Sequence, residues 1–277
     1  MHTKLSMFYL ALSLVSCGGP QRDYVSEANQ ALSQGRAQDA TELATLAVEE
    51  SADKYAARKA LAQAHRGVAT EAETNGDLPT AMEALRHAIV AEPSPALRCP
   101  DALAAAVIAA RLQDNESRLE FVSTAVQSNS SSVEARTAAA AAYDEAGDGP
   151  QAIPHYLWLW EADHSKPQYG LRLAALYAAG ERHRDASKVY SQVLEIDSGN
   201  VQAAFGRIES LTKIERFDEA ERVFKSLLDL YPHNPAVLYR WADFLESRGR
   251  QSEADKVRKG AEKKLPGVKR RRMRKLH

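Results

Sequence analysis

The sequence has little of what marks disulfide-rich domains, membrane-spanning chains or sheet proteins. It has two cysteines in 277 residues, and Cys17 lies beside an N-terminal apolar stretch, so a disulfide framework is not supported. That stretch, Leu5–Ser16, has twelve residues, whereas a helix needs about 20 to span a bilayer. No segment alternates apolar and polar residues between turn signals, as a strand would. These absences favour an all-helical protein.

Motifs for catalysis and metal binding are also missing. The chain has no zinc-protease helix motif, no phosphate-binding loop and no nucleophile elbow. Its eight histidines are scattered without the spacing of metal ligands. The triplet His183–Asp185 imitates the kinase catalytic triplet, but no glycine-rich loop precedes it. We therefore predict that the protein is not an enzyme and uses no cofactor or metal.

Positive charge is concentrated at the C-terminus. The net charge is −1, yet six of the last nine residues are basic: Lys269, Arg270, Arg271, Arg272, Arg274 and Lys275. The rest of the chain is therefore net negative and has no general affinity for nucleic acid. The basic tail, residues 267–277, would suit anionic lipid head groups, while nucleic acid is a less favoured polyanion. A disordered solubilising end is the alternative interpretation.

Residues recur every 34 positions through the C-terminal half of the chain. Residues at equivalent positions of successive units form three columns. They are Ala152, Ala186, Ala220 and Ala254; Tyr156, Tyr190 and Phe224; and Leu159, Val193 and Leu227. A constant period of this length indicates a repeat architecture. The small residues would let two antiparallel helices touch, and the larger ones would fill the space against the next pair. Because one pair cannot cover its own apolar face, stacked pairs must form the core.

The helical pattern extends towards the N-terminus as well. It begins near Tyr24, and apolar spacing with an N-cap predicts a long helix over Asp53–Asn75. Residues 99–132 follow the period imperfectly, since Arg118 stands where other units place alanine. We expect about seven helix pairs between residues 24 and 266, five of them in the 34-residue register, with the best formed over residues 133–266.

These units resemble the tetratricopeptide repeat. The closest is Val201–Asn234, with Ala220, Phe224 and Pro232 in the family's columns, whereas Arg258 replaces a usual aromatic residue and Ile208 a usual small one. The resemblance implies an α-solenoid, a right-handed superhelix of helix-turn-helix repeats. It also implies an inner groove, lined by the first helix of each unit, that binds peptides or folded proteins.

The family's layout identifies candidate groove residues. They are Arg66, Arg111, Glu134, Asp144, Glu145, Gln168, Arg172, Phe205, Glu209, Lys213, Tyr239, Arg240, Asp243 and Glu246. Aromatic residues and arginine are enriched among binding hot spots, which favours Phe205, Tyr239 and Arg172. A solvated polar face is the alternative for each residue taken singly. We find no set of lysines and asparagines like the one with which chaperone-binding members hold a terminal carboxylate.

An aromatic cluster lies in the second helix of the fourth 34-residue unit from the C-terminus. Tyr156 and Trp160 share a helical face, while Trp158 points elsewhere, beside His155. One face must be core, so the remaining residue is either a contact patch or part of the packing between repeats. Cys99 is a single helical thiol that we interpret as structural.

The N-terminus resembles that of bacterial lipoproteins. Lys4 precedes the apolar stretch, and Leu14–Cys17 matches the lipobox, in which the chain is cut before an acylated cysteine. The resemblance implies a signal peptide over residues 1–16, a lipid on Cys17 and a tether over residues 17–23. Gly18 in place of aspartate favours the outer membrane. An ordinary signal peptide with an incidental cysteine remains the alternative.

Two functions follow from these features. The first is a lipid-anchored scaffold in the bacterial cell envelope, facing the periplasm, that recruits or assembles other proteins through its groove. The second is a cytosolic adaptor or regulator whose basic tail touches nucleic acid or an acidic protein. The second requires that residues 1–16 remain uncleaved.

Overall fold

The computed structural model describes residues 22–264. Within this range the chain forms 14 helices and no strand, which confirms the predicted all-α helical repeat fold. The predicted signal peptide, the lipid attachment residue Cys17 and the basic tail from Lys269 to Lys275 lie outside the described residues. Between residues 22 and 264, no helix is both long enough and apolar enough to span a bilayer.

The described part divides into two compact units, and the first covers residues 22–129. Its helices are α1 (Tyr24–Ser33), α2 (Ala37–Glu50), α3 (Lys54–Thr74), α4 (Leu78–Ala91), α5 (Pro95–Arg111) and α6 (Asn115–Ser128). The side chain of Asp53 accepts a hydrogen bond from the backbone N–H of Ala56 and caps α3. The long third helix is thus confirmed, and its 21 residues account for the wider spacing of the first pairs.

The second unit covers residues 130–264 of the described chain. Its helices are α7 (Val133–Glu145), α8 (Gly149–Ala162), α9 (Pro167–Ala179), α10 (His183–Ile196), α11 (Val201–Lys213), α12 (Phe217–Leu230), α13 (Pro235–Ser247) and α14 (Gln251–Lys264). First helices of 13 residues alternate with second helices of 14 residues. This regular alternation is the structural form of the 34-residue period.

The turn inside each helix pair uses one left-handed residue. Positive φ angles of 58° to 77° occur at Gln113, Gly147, Glu181, Glu215 and Gly249, which stand 34 residues apart, and also at Gly35 and Gly76. Glycine adopts this conformation without a steric penalty, whereas glutamine and glutamate do so at a cost. The period therefore fixes the backbone shape of the turn more strictly than it fixes the residue type.

The residue after each turn stabilises the start of the second helix in one of two ways. Asp77, Asp114 and Asp148 accept a hydrogen bond from the backbone N–H three residues later, which is ordinary N-capping. Arg182 and Arg250 occupy the same column but instead form ion pairs with an acidic residue three positions on, as at Arg250 and Glu253. Both arrangements bring a carboxylate to the positive end of a helix.

The alanine columns form the contact between paired helices, as predicted. Ala152, Ala186, Ala220 and Ala254 are all fully buried. In the second unit, one core cluster contains Trp160, Tyr177, Tyr190 and Val193, and another contains Leu211, Phe224, Trp241 and Leu245. Ile208, which departs from the family pattern, is buried in the second cluster, and Cys99 is buried in the first unit.

The aromatic cluster of α8 divides between core and surface. Trp160 is buried, and Tyr156 packs against the same core cluster. Trp158 stays half-buried beneath Arg136, whose guanidinium carbon lies 5.4 Å from the ring centroid. His155 stacks on Tyr143 with centroids 5.8 Å apart. The residue left outside the core is therefore Trp158, and it already has an arginine over its ring.

Candidate partner-binding face

The first helices of the second unit carry most of the predicted groove residues on one side. On α11, Phe205, Glu209 and Lys213 follow one another at steps of four, so they share a helical face. Tyr239 and Asp243 have the same relationship on α13. We call the side of α7, α9, α11 and α13 that bears these residues the first-helix face. It combines aromatic rings with charged groups of both signs.

An arginine and an aromatic ring join α11 to α13 on this face. The guanidinium carbon of Arg240 lies 4.2 Å from the ring centroid of Phe205. Arg240 is exposed, whereas Phe205 and Tyr239 are half-buried. A guanidinium over a ring at this distance is attracted by the negative charge of the ring face. The contact holds an arginine in a fixed place without neutralising its charge.

Asp144 and Arg172 form an ion pair between α7 and α9. Arg172 Nη2 donates to Asp144 Oδ1 at 2.7 Å, and its Nε donates to Oδ2 of the same carboxylate. The hydroxyl of Tyr156 also donates to Oδ2, at 3.2 Å. Burial and the neighbouring Asp144 carboxylate raise the pKa of Tyr156 to about 12, so its hydroxyl stays protonated. Asp144 and Arg172 are therefore already engaged with each other.

A second ion-pair cluster lies at the C-terminal end of this face. Arg258 on α14 donates from Nη2 to Asp243 at 2.6 Å and also to Glu246, both on α13. Its side chain is only 11% exposed, and these hydrogen bonds raise its pKa. Arg258 stands where the family usually places an aromatic residue. The structure shows that ion pairs replace the aromatic packing at this point.

Arg66 in the first unit forms ion pairs with two buried carboxylates. Its Nη2 lies 2.6 Å from Glu92 and 2.7 Å from Asp101, and its Nε donates to Asp101 at 2.9 Å. Hydrogen bonding to Asp101, the largest contribution, raises the pKa of Arg66. Glu92 and Asp101 were not anticipated, because no spacing in the sequence relates them to Arg66. Arg66 therefore joins α3 to α4 and α5.

The remaining predicted groove residues are more exposed to solvent. Arg111 is exposed at the end of α5, and Gln168, Glu209 and Lys213 are exposed in the second unit. Glu134 is exposed near the start of α7, where it accepts a hydrogen bond of 2.9 Å from the hydroxyl of Ser132. These residues, together with Phe205, Tyr239 and Arg240, are the ones best placed to meet a partner. Among residues 22–264 no group of three or more histidine, cysteine or acidic side chains could hold a metal ion.

The family model of the tetratricopeptide repeat matches residues 171–235 and 206–259. Residues 171–259 therefore carry tetratricopeptide repeats. Repeats of this kind stack into extended surfaces that bind other proteins. The matched residues include α11 and α13, so the Phe205–Arg240 contact lies inside the recognised repeats.

Two solved structures with a TM-score of 0.50 support the same fold. The chain is similar to MamA from AMB-1 (19% identity, 65% of this chain and 99% of that one, TM-score 0.50). It is also similar to MamA from Desulfovibrio magneticus RS-1 (12% identity, 60% and 93%, TM-score 0.50). A tetratricopeptide repeat protein from Parabacteroides merdae gives 19% identity over 75% of this chain and 81% of that one, with a TM-score of 0.48. No curated protein matches the sequence.

Proposed function

We propose that this protein is a non-enzymatic scaffold, held by a lipid on Cys17 in a bacterial cell envelope, that recruits or assembles envelope proteins. The tetratricopeptide repeats support the binding role. The lipobox-like Leu14–Cys17 supports the anchor, and Gly18 favours the outer membrane with the repeats facing the periplasm. Two or more acyl chains would give stable anchoring, since each buried methylene contributes about 0.8 kcal/mol.

The observation that carries the binding role is the contact between Arg240 and Phe205. It places an exposed arginine over a half-buried ring, next to Tyr239, on the first-helix face. Arginine and tyrosine are enriched among interface residues whose truncation costs most of the binding energy. The ring also orders the arginine before a partner arrives, which reduces the side-chain entropy lost on binding. We infer that a segment of the partner protein lies across α11 and α13.

Affinity capture from the native envelope tests this assignment. The mature protein is compared with Arg240→Ala and with the double variant Phe205→Ala and Tyr239→Ala. We expect both to lose the partners that the unaltered protein retains. Lys188→Ala with Lys256→Ala, on the second helices, is the control and should capture the same partners. If Arg240→Ala is folded by circular dichroism and keeps every partner, the first-helix face is the wrong surface.

The lipid anchor has a separate test. Cells expressing the protein or its Cys17→Ser variant are supplied with a radioactive fatty acid. We expect label in the unaltered protein only, because Cys17 is the sole residue of the lipobox that accepts an acyl chain. Equal labelling of the two proteins would show that Cys17 carries no lipid anchor. It would not affect the proposed role of the first-helix face in binding.

The basic tail favours a second candidate function, that of a cytosolic adaptor. Six positive charges within nine residues would suit nucleic acid or an acidic protein. Cell fractionation distinguishes the two candidates. A soluble protein that retains Met1 supports the adaptor, whereas membrane-bound protein that begins at Cys17 supports the envelope scaffold. In the scaffold, the same tail would bind anionic lipid head groups, worth about 1 kcal/mol per basic residue.

A further inference from the structure

Three large apolar side chains of the first unit are exposed at the ends of neighbouring helices. Tyr55 is the second residue of α3, Val90 lies one residue before the end of α4, and Leu97 is the third residue of α5. Tyr55 is 59% exposed and Val90 is 71% exposed. Apolar residues exposed singly are ordinary in soluble proteins, whereas a group of them indicates a contact surface.

Hydrogen bonds join the helix ends that bear these residues. Arg58, near the start of α3, donates from Nη2 to the carbonyl of Val90 and from Nε to that of Ala91, both at 3.2 Å. Arg98, near the start of α5, donates from Nε to the carbonyl of Glu92 at 2.9 Å. The starts of α3 and α5 and the end of α4 therefore form one edge of the first unit. We call it the helix-start edge.

The opposite edge of this unit has no comparable side chains. It is formed by the turns inside the helix pairs, which present the exposed polar residues Gln34, Arg36, Asn75, Asp77 and Gln113. Leu46 and Val107 are the other large apolar residues exposed in the described part of this unit, and both lie within helices. The apolar residues at helix ends are thus confined to the helix-start edge.

The start of α1 lies at the same edge. Tyr24 and Val25 line one side of a shallow hollow, and residues 50–53, which connect α2 to α3, line the other. Cys17, the proposed lipid attachment residue, precedes Tyr24 by seven residues. A chain of that length spans at most about 25 Å when fully extended. A lipid on Cys17 would therefore hold the helix-start edge nearer to the bilayer than the opposite edge, because α1 leads away from it.

Charged groups of both signs surround the apolar side chains. Lys54, Arg58 and Arg98 donate to backbone carbonyls and form no ion pair within residues 22–264. Glu50 and Asp53 are exposed at the same edge. This mixture suits zwitterionic phospholipid head groups, which present both phosphate and ammonium, whereas a strongly charged protein would require an excess of one sign. Tyrosine is also enriched where membranes meet water, because its ring is apolar and its hydroxyl stays hydrated.

We propose that the helix-start edge of the first unit docks on the surface of a phospholipid bilayer, with Tyr55, Val90 and Leu97 in the head-group region. This inference rests on the proposed anchoring of the protein to a membrane. The lipid on Cys17 supplies the attachment, and the edge sets the orientation of the first unit, in which α1, α3 and α5 lead away from the bilayer.

Hydroxyl-radical footprinting of the full mature chain, residues 17–277, tests this orientation. The Cys17 thiol is coupled to a maleimide lipid in vesicles of phosphatidylcholine and phosphatidylethanolamine, and Cys99 is buried and does not compete. We expect Tyr55 and Val90 to lose reactivity in the coupled chain relative to the uncoupled chain. Val107 is the matched control, because it is 62% exposed and lies ten residues beyond Leu97 on α5, about 15 Å along the helix. Its reactivity should not change.

Partitioning of the uncoupled Cys17→Ser chain into the same vesicles measures what the side chains contribute. These vesicles carry no net charge, so they do not attract the basic tail as anionic lipid would. We expect Tyr55→Ser with Val90→Ser to lower the partition coefficient about tenfold, because two apolar side chains no longer leave water. Val107→Ser should leave the coefficient unchanged. The three side chains are exposed, so all the variants should fold, which circular dichroism checks.

Three results would overturn the proposal. The first is equal reactivity of Tyr55 and Val90 in the coupled and uncoupled chains. The second is equal partitioning of the double variant and the chain with Tyr55 and Val90 intact. The third is protection of Tyr55 without vesicles as the protein concentration is raised, which would make this edge a contact between copies of the chain. The tests use chemical coupling or no lipid on the protein, so a failed edge is distinguishable from a failed anchor.

Discussion

The ring of Tyr190 occupies the space that a side chain at Gly206 would need. A Cβ atom built on Gly206 would lie 2.3 Å from Tyr190 Cζ and 2.6 Å from its Cε2. Tyr190 is a buried residue of α10, and burial raises the pKa of its hydroxyl. The missing side chain on α11 therefore allows a large ring to fill the space between successive repeats.

Gly206→Ala should destabilise the second unit. The added methyl group clashes with a ring that is packed on several sides, and overpacking of this kind costs about 1–3 kcal/mol. Gly260→Ala on α14 is the matched control, because nothing lies within 4 Å of its Cβ position. That change should stabilise the helix by up to about 1 kcal/mol. Urea unfolding of both variants measures the difference, and similar midpoints would show that Tyr190 moves aside freely.

Arg66→Met should destabilise the first unit strongly. The change leaves Glu92, which is 0% exposed, and the largely buried Asp101 without a positive partner. Removing one member of a buried ion cluster costs about 3–5 kcal/mol, reduced here because Arg66 itself is 27% exposed. Chemical unfolding followed by circular dichroism gives the change in free energy.

Two further variants separate the charge effect from simple loss of packing around Arg66. Combining Arg66→Met with Glu92→Gln and Asp101→Asn removes the uncompensated charges and should recover much of the lost stability. Arg36→Met breaks only exposed contacts, an ion pair with Asp39 and hydrogen bonds to Gln34, and should change the free energy of unfolding by less than about 1 kcal/mol. A triple variant as unstable as Arg66→Met alone would contradict the electrostatic explanation.

The repeat architecture could be predicted from sequence because its signals are local and periodic. The alanine columns follow from a spacing of 34 residues, and the structure places Ala186 and Ala220 in the core at that spacing. The left-handed turn residues keep the same spacing, but their residue type varies among glutamine, glutamate and glycine. Helix propensity, apolar spacing and turn chemistry all indicated the same structure. Sequences in which helix propensity, apolar spacing and turn chemistry agree typically specify one fold.

The charge pairs of the candidate face could not be predicted in the same way. The partners of Arg66 lie 26 and 35 residues away, in a helix end and in the next first helix. In the sequence, Arg258 departs from the aromatic column, but its two carboxylate partners on α13 are evident only from the packing of α14. Periodicity places a side chain on a face of a helix, whereas ion pairs depend on how long side chains extend between helices.

The left-handed turn residues predict opposite effects for two substitutions, one that introduces a glycine and one that removes a glycine. Glu181 has a φ angle of 58° and Gly147 one of 76°, at equivalent turns. Glu181→Gly should stabilise the protein by about 1 kcal/mol, because the strained conformation costs a residue with a Cβ roughly that much. Gly147→Ala should destabilise it by a similar amount. Thermal unfolding of the two variants checks this, and a loss of stability in both would mean that chain entropy, not strain, dominates at these turns.

Stability should fall as the solution becomes mildly acidic, because two histidines are held in surroundings that disfavour their charged forms. Burial, with the nearby His87 ring 5.1 Å away, lowers the pKa of His65, and burial with Arg136 lowers that of His155. An unfolded histidine, with a pKa of about 6.5, then binds a proton more readily than the folded one. The free energy of unfolding therefore falls as pH drops through about 6.5 towards the folded pKa values.

Unfolding temperatures at pH 7.5 and pH 5.5 measure this dependence. Replacing both residues, His65→Gln and His155→Gln, should reduce the fall in unfolding temperature between the two conditions, since glutamine does not titrate. Carboxylates whose pKa values are lowered, such as Asp77 and Asp114, act only nearer pH 4 and so lie below this window. An unchanged pH dependence in the double variant would show that neither histidine is responsible.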